Sequence, residues 1–261
     1  MDSRLTVIHE DSDLLVINKP AGLVCHPTKG DEYSSVISRV RLHLGVGASA
    51  HLVNRLDRET GGVTILAKNS ATAGELGRLW ETRRVEKEYL AIVHGHVREE
   101  SGLIDAPLGK NEHSRVAIKD CVRADGSPAK TEFQVERRFW RPPGAPVSDP
   151  ARSEANLVRA GSETGAPFSL LCVLPRSGRK HQIRIHLAHV GHAIVGDKIY
   201  GGDEDLYLAL VEDRLTDEMR ARLLLPNHAL HAVAIRFVWR GKQVEFRCEP
   251  EKWFTDFVAD C

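Results

Sequence analysis

Short apolar runs, each cut off by Gly, Pro, Asn or Asp, recur along the chain, and few stretches carry apolar residues at helical spacing. Asp13 to Gly22, DLLVINKPAG, reads as a strand that its Pro-Ala-Gly turn must end. Further strands are predicted over His51 to Asn54 and Val63 to Ala67. Between these two, Arg55 to Gly62 (RLDRETGG) is a loop, since Gly61 and Gly62 permit backbone angles that other residues avoid. Ser70 followed by ATAGELGRLW predicts an N-capped helix with Leu76, Leu79 and Trp80 on one face. From Glu88 to Val93 the period falls to two, which sets Tyr89, Ala91 and Val93 on one side and Leu90 and Ile92 on the other.

Thr131 to Phe139 and Phe168 to Leu174 are further strands, separated by a Pro-, Gly-, Ser- and Ala-rich stretch, residues 141–167, that reads as a mobile surface insertion. Arg179 to Val190 predicts a helix with Ile183, Leu187 and Val190 along one stripe, leaving His181 and Arg184 off it. HAVAIRFVW and KQVEFRCEP flank Arg240-Gly241 as a hairpin, and PEKWFTDFV is a short closing helix with Pro250 at its start. Strands joined by hairpins and interrupted by few helices indicate an α+β fold with a central mixed, mostly antiparallel sheet flanked by helices and loops. With 261 residues and no internal repeat, a single domain over residues 1–261 is expected.

Composition narrows the class without naming a function. Hydrophobic content of 42%, charged content of 28% and 21 glycines exclude a disordered chain, a collagen and a disulfide scaffold. Lys plus Arg equals Asp plus Glu at 36 each, so a nucleic acid would have to be met by a local basic face. The five cysteines (Cys25, Cys121, Cys172, Cys248, Cys261) are odd in number and form no CxxC pair, which suits reduced thiols in the cytoplasm. No signal core and no run of eighteen apolar residues is present, so neither export nor membrane insertion is expected.

Asp57 lies in its loop with Arg55 and Arg58 beside it, a setting that keeps a carboxylate ionised. On pattern alone it is either a nucleophile or a turn residue accepting backbone hydrogen bonds. His181, His186, His189 and His192 with Asp197 raise a metal site, but the spacing is not HExxH and His181 and His186 point apart, so no metal is expected. NKPAG lacks the glycine spacing and the Lys-Ser/Thr of a phosphate-cradling loop, which makes it a structural turn, although Lys19 is a candidate for one RNA phosphate.

Four blocks, DLLVINKPAGLVCHP (Asp13 to Pro27), VNRLDRETGGVTILAK (Val53 to Lys68), KEYLAIVHG (Lys87 to Gly95) and SGRKHQIRIHLAHVGHAIVGDKIYG (Ser177 to Gly201), together resemble the RluA-type RNA pseudouridine synthases. NHALHA, Asn227 to Ala232, is a fifth, weaker match, and the blocks stand in the family's order over nearly the whole chain. The resemblance implies the pseudouridine synthase fold and isomerisation of a uridine in structured RNA, tRNA or rRNA, without a cofactor.

It also implies roles. Asp57 is the catalytic carboxylate acting at the sugar carbon, Tyr89 stacks on the target base and accepts the C5 proton, and Arg184, from HQIR, is the ion-pair partner of Asp57. Arg55 fills the gap left by a flipped nucleotide, whose extrusion costs a few kcal/mol. With Lys19, Arg179, His181 and Gln182 it makes up the expected RNA-binding set. Two positions depart from the family's pattern: Asn54 stands where relatives have His, and Gly61 where they have a small hydroxyl residue. An S4-like RNA-binding domain before residue 13 is not expected, nor an obligatory protein partner, and a monomer is the default. The alternative is a non-catalytic RNA-binding protein on the same scaffold.

Overall fold

The computed structural model describes residues 5–27, 35–45, 47–142 and 165–259. In chain order these form β1 (Thr6–Glu10), β2 (Leu14–Lys19), α1 (Val36–Leu44), β3 (His51–Leu52), β4 (Gly61–Ala67), α2 (Ser70–Glu81), β5 (Val85–His94), β6 (Ser101–Asp105) and β7 (Leu108–Lys110). There follow β8 (Asp120–Val122), β9 (Lys130–Arg141), β10 (Ala166–Pro175), α3 (Gln182–His189), α4 (Glu204–Val211), α5 (Asp217–Leu223), β11 (Leu230–Trp239), β12 (Lys242–Arg247) and α6 (Lys252–Ala259). They pack as two compact units, residues 1–89 with 230–250 and residues 90–229 with 251–261. None of the described helices is long and apolar enough to cross a membrane.

In the first unit β2 explains the apolar run that the sequence shows. Leu14 and Val16 point into one core with Val63, Ile65, Leu76, Val85 and Phe237, while Leu15 and Ile17 point into another with Val36, Val40 and Leu66. A strand covered on both faces needs apolar residues at every position, not at alternate ones. β2 pairs antiparallel with β1 and β4, β11 pairs antiparallel with β12, and β4 lies parallel to β11 through His231↔Gly61 and Ala232↔Gly62. The sheet is therefore mixed and mostly antiparallel, as expected of an α+β protein.

α2 begins one residue earlier than a Ser70 cap requires. Asn69 is the cap: its Oδ1 accepts the Thr72 N–H at 2.8 Å, and its Nδ2 donates to Asp13 at 3.0 Å. The β11–β12 turn places both Arg240 and Gly241 at positive φ, 48° and 76°, as a two-residue hairpin turn requires. Arg240 bears that conformation while its guanidinium is tied to Glu75 and Asp13.

The second unit is built on β6, β9 and β10, antiparallel in that order, with β7 paired to β8. Arg141 pairs with Ala166, so β9 and β10 run on to the base of the expected insertion, of which residues 143–164 lie outside the described part. α6 is fixed here by Phe257, 5.2 Å from Phe168 between ring centroids, and by Arg141, whose guanidinium lies 4.3 Å from the Phe257 ring and donates to the Phe257 carbonyl at 2.7 Å.

Gly62 sits at φ 120° where β4 meets β11, and a Cβ there would come 2.6 Å from the Ala232 nitrogen. Gly62→Ala is therefore expected to destabilise the first unit by about 3 kcal/mol or more, since backbone must move as well as twist. Urea unfolding of the variant checks this through its midpoint.

Candidate active site

The loop that carries Asp57 is held from beneath by buried polar groups. Lys19, fully buried at the end of β2, donates its ammonium to the carbonyls of Pro20 (2.9 Å), Leu23 (2.8 Å) and Arg58 (3.0 Å). The Gly22 N–H donates to the same Arg58 carbonyl at 2.9 Å, and Arg58 Nε returns a bond to the Gly22 carbonyl at 3.2 Å. The Pro-Ala-Gly turn and residues 57–60 are thus one hydrogen-bonded body. Asn54 fixes the entrance: its Nδ2 donates to the Val63 carbonyl at 3.1 Å and its Oδ1 accepts the Ile65 N–H at 2.8 Å. A side-chain amide supplies one donor and one acceptor to the neighbouring strand, so the departure at this position has a structural use.

Asp57 and Tyr89 are half-buried, and both belong to the first unit. Burial first, and then the negative charge of Asp57, push the Tyr89 phenol well above its usual range. The phenol is neutral at any physiological pH. Arg55 is exposed on the same loop.

One group here escapes the sequence reading. His231 pairs in register with Gly61, is 2% exposed and has its Nε2 3.4 Å from Cys248 Sγ. Burial pushes the ring down to about 4 and the thiol up to about 12, so both stay neutral near pH 7. The weak match NHALHA contained this histidine; nothing in it indicated that the ring is sealed.

In the second unit α3 buries Gln182 through Leu187 without a break, so the stripe predicted from periodicity is too narrow, and Val190 is exposed beyond its end. Arg184 makes a bidentate ion pair with Asp197, Nε to Oδ2 at 2.7 Å and Nη2 to Oδ1 at 2.9 Å. His181, at φ 55°, precedes the helix with Nδ1 2.9 Å from the Tyr200 hydroxyl. His186 lies between Thr131 Oγ1 and the Ala106 carbonyl, at 2.8 and 2.9 Å. Arg179 is exposed. Among the described residues no three His, Cys, Asp or Glu side chains gather as a metal would need.

Two members of the expected RNA-binding set are corrected. Lys19 has no exposed surface and spends its ammonium on carbonyls, so it cannot meet a phosphate. Gln182 is buried, donates to the Lys130 carbonyl and Thr131, and accepts from Ser177 and the Arg179 N–H, which uses both ends of its amide. Motif position does not distinguish a residue that touches RNA from one that holds the loop behind it.

A family model described as RNA pseudouridylate synthase matches residues 13–189. The chain belongs to that family. Among its relatives, an uncharacterized RNA pseudouridine synthase of Chlorobaculum parvum is 33% identical over 246 residues, 90% of this chain and 67% of that protein. The ribosomal large subunit pseudouridine synthase D of Nitrosomonas europaea is 32% identical over 87% of this chain and 56% of its own length. The chain thus spans between 56% and 67% of these two family members. Among solved structures, human RNA pseudouridylate synthase domain containing 1 superposes with a TM-score of 0.68 at 25% identity, over 95% of this chain and 84% of that one.

Two measurements check the support of the loop. Lys19→Met is expected to cost about 3 kcal/mol of stability, because three carbonyls lose a charged donor, and to leave the salt dependence of RNA binding unchanged. Because the folded His231 pKa lies below the unfolded value, the unfolded chain takes the proton first as pH falls. The stability that the neutral ring contributes is complete above pH 6.5 and is lost towards pH 4, by about 3 kcal/mol in all. Denaturant midpoints across that window are expected to flatten in His231→Gln.

Proposed function

We propose that this protein is an RNA pseudouridine synthase with Asp57 as its catalytic carboxylate. The observation that carries the reading is the pairing of Asp57 with Tyr89 in one unit, an acid on a braced loop beside a phenol that feels its charge. In the reaction the bond from C1′ of the sugar to N1 of uracil breaks, the freed uracil turns, C5 bonds to C1′, C5 loses its proton and N1 gains one. Atoms and electrons balance within the nucleotide, so no oxidant, reductant or group donor enters. Asp57 acts at the sugar as nucleophile or base while ionised.

Tyr89 presents a ring on which the uracil stacks, an interaction worth roughly 1–3 kcal/mol. Its raised pKa refines the expected role as proton acceptor. The phenol is not an anion waiting for the C5 proton, and it takes that proton only by passing its own onward. Arg184 serves as the cationic partner of Asp57, and Arg55, exposed on the loop, occupies the space vacated by the extruded nucleotide. Arg179 and His181 contact the RNA backbone. The substrate is a structured ribosomal RNA, the class that the large-subunit synthases among the relatives are named for. The protein works as a monomer in the cytoplasm.

Asp57→Ala tests the reading in the intact protein. Pseudouridine formation, mapped in total RNA from cells with and without the gene, is expected to vanish at one or a few sites in the variant, while RNA affinity is kept. Product formation at the wild-type level by Asp57→Ala would remove the assignment, and a wild-type protein that binds RNA without forming product would make it a binding protein on this scaffold.

A further inference from the structure

Asp197 has no part in the roles above, yet it is the residue that Arg184 is built around. Its side chain is 0% exposed and that of Arg184 5%, and the two planar groups meet along one edge through Nε and Nη2. Oδ1 of Asp197 also accepts the backbone N–H groups of Ile199 and Tyr200, at 2.9 and 3.0 Å, which locks the carboxylate to its own turn. That turn is itself fixed. Gly196, at φ 80°, lies so close to the neighbouring chain that a Cβ would come 2.5 Å from the Asn227 carbonyl oxygen.

The guanidinium is constrained from a second direction by Tyr200, whose ring centroid is 5.1 Å from the Arg184 Cζ and whose hydroxyl is 2.9 Å from His181 Nδ1. Edge, face and helix backbone together leave the guanidinium plane one orientation. Such a pair is a poor device for stability alone, because desolvating two charges roughly offsets their attraction and an apolar pair does as well. Its value lies in direction and in charge. Two parallel bonds aim the remaining edge of Arg184, and the carboxylate balances the charge of a buried cation.

We propose that Asp197 is the positioning residue for Arg184, aiming its guanidinium and balancing its charge so that Arg184 meets an anionic partner as a preset hydrogen-bond donor. The proposal rests on the reading in which Arg184 serves Asp57. It makes Asp197 a requirement of the chemical step and not of RNA binding.

Asp197→Asn in the full-length protein keeps the shape and removes the charge. The expected result is a fall in kcat of about 100-fold with KM for the RNA unchanged, as a misaimed group produces. The Arg184 Nε–H, buried and bonded to Asp197 Oδ2, is expected to exchange slowly in the wild type and freely in the variant. Asp197→Glu keeps the charge and shifts the carboxylate by one methylene. If the Asn variant does not fold, the Glu variant carries the test, again through a lowered kcat at constant KM. An unchanged kcat, a loss confined to KM, or an Nε–H that stays protected in Asp197→Asn overturns the proposal. The reading beneath it fails by a different signature: Arg184→Lys or Asp57→Asn retaining full activity would remove the role of Arg184 altogether, with the Nε–H of the wild type still protected.

Discussion

A buried ammonium holds the loop on which the proposed chemistry depends. Lys19 lies at the end of a strand sealed on both faces, and its three carbonyl acceptors belong to two segments about forty residues apart in sequence. Hydrogen bonds to a charged donor contribute roughly 1.5–3 kcal/mol each, and Lys19 has no surface exposed to solvent. The Pro-Ala-Gly turn cannot drift from residues 57–60 without leaving that charge unsatisfied. Asn54, two bonds into β4, and Gly62, pressed against the β11 backbone, bound the same loop on its other sides. Asp57 is thereby presented by a frame that is stiff for reasons of buried polarity as much as of apolar packing.

The second unit follows the same logic with a different set of groups. α3 carries Gln182, Arg184 and His186 on buried positions, and each is met by named partners: Ser177, Thr131 and the Lys130 carbonyl; Asp197; Thr131 and the Ala106 carbonyl. Buried polar networks of this kind are costly when half satisfied and specify one arrangement when complete. Chain neutrality hides this distribution, because much of the charge is consumed in pairs such as Arg184 with Asp197 and Arg236 with Glu88.

Much of the fold was legible because it follows local rules. The β2 run, the α2 periodicity, the period-two strand through Tyr89 and the Arg240-Gly241 hairpin all lie where pattern puts them, with ends moved by one to three residues. β1, α1, β6, β7, β8, α4 and α5 were not read, since short edge strands such as β6 and small helices such as α5 carry too few buried positions for a period to show. Nothing in the periodicity marks the division between the units at Tyr89, because β5 is one unbroken strand across it. Among the candidate residues, Asp57 and Tyr89 were named from their motifs. Lys19 and Gln182 were found too and misassigned, because a motif records that a residue matters and not which way it faces.

The sequence by itself determined the family, the element types with strong periods and the residue identities at the proposed site, since these depend on the order of side chains and on short-range backbone preference. Only the tertiary structure decided which polar groups are sealed from water, and with that the neutral His231, the protonated Tyr89, the bracing role of Lys19 and the clamp of Asp197 on Arg184. The physical reason is that desolvation and hydrogen-bond partnership depend on segments distant in the chain, and a side chain's chemistry is set by what surrounds it once those segments meet.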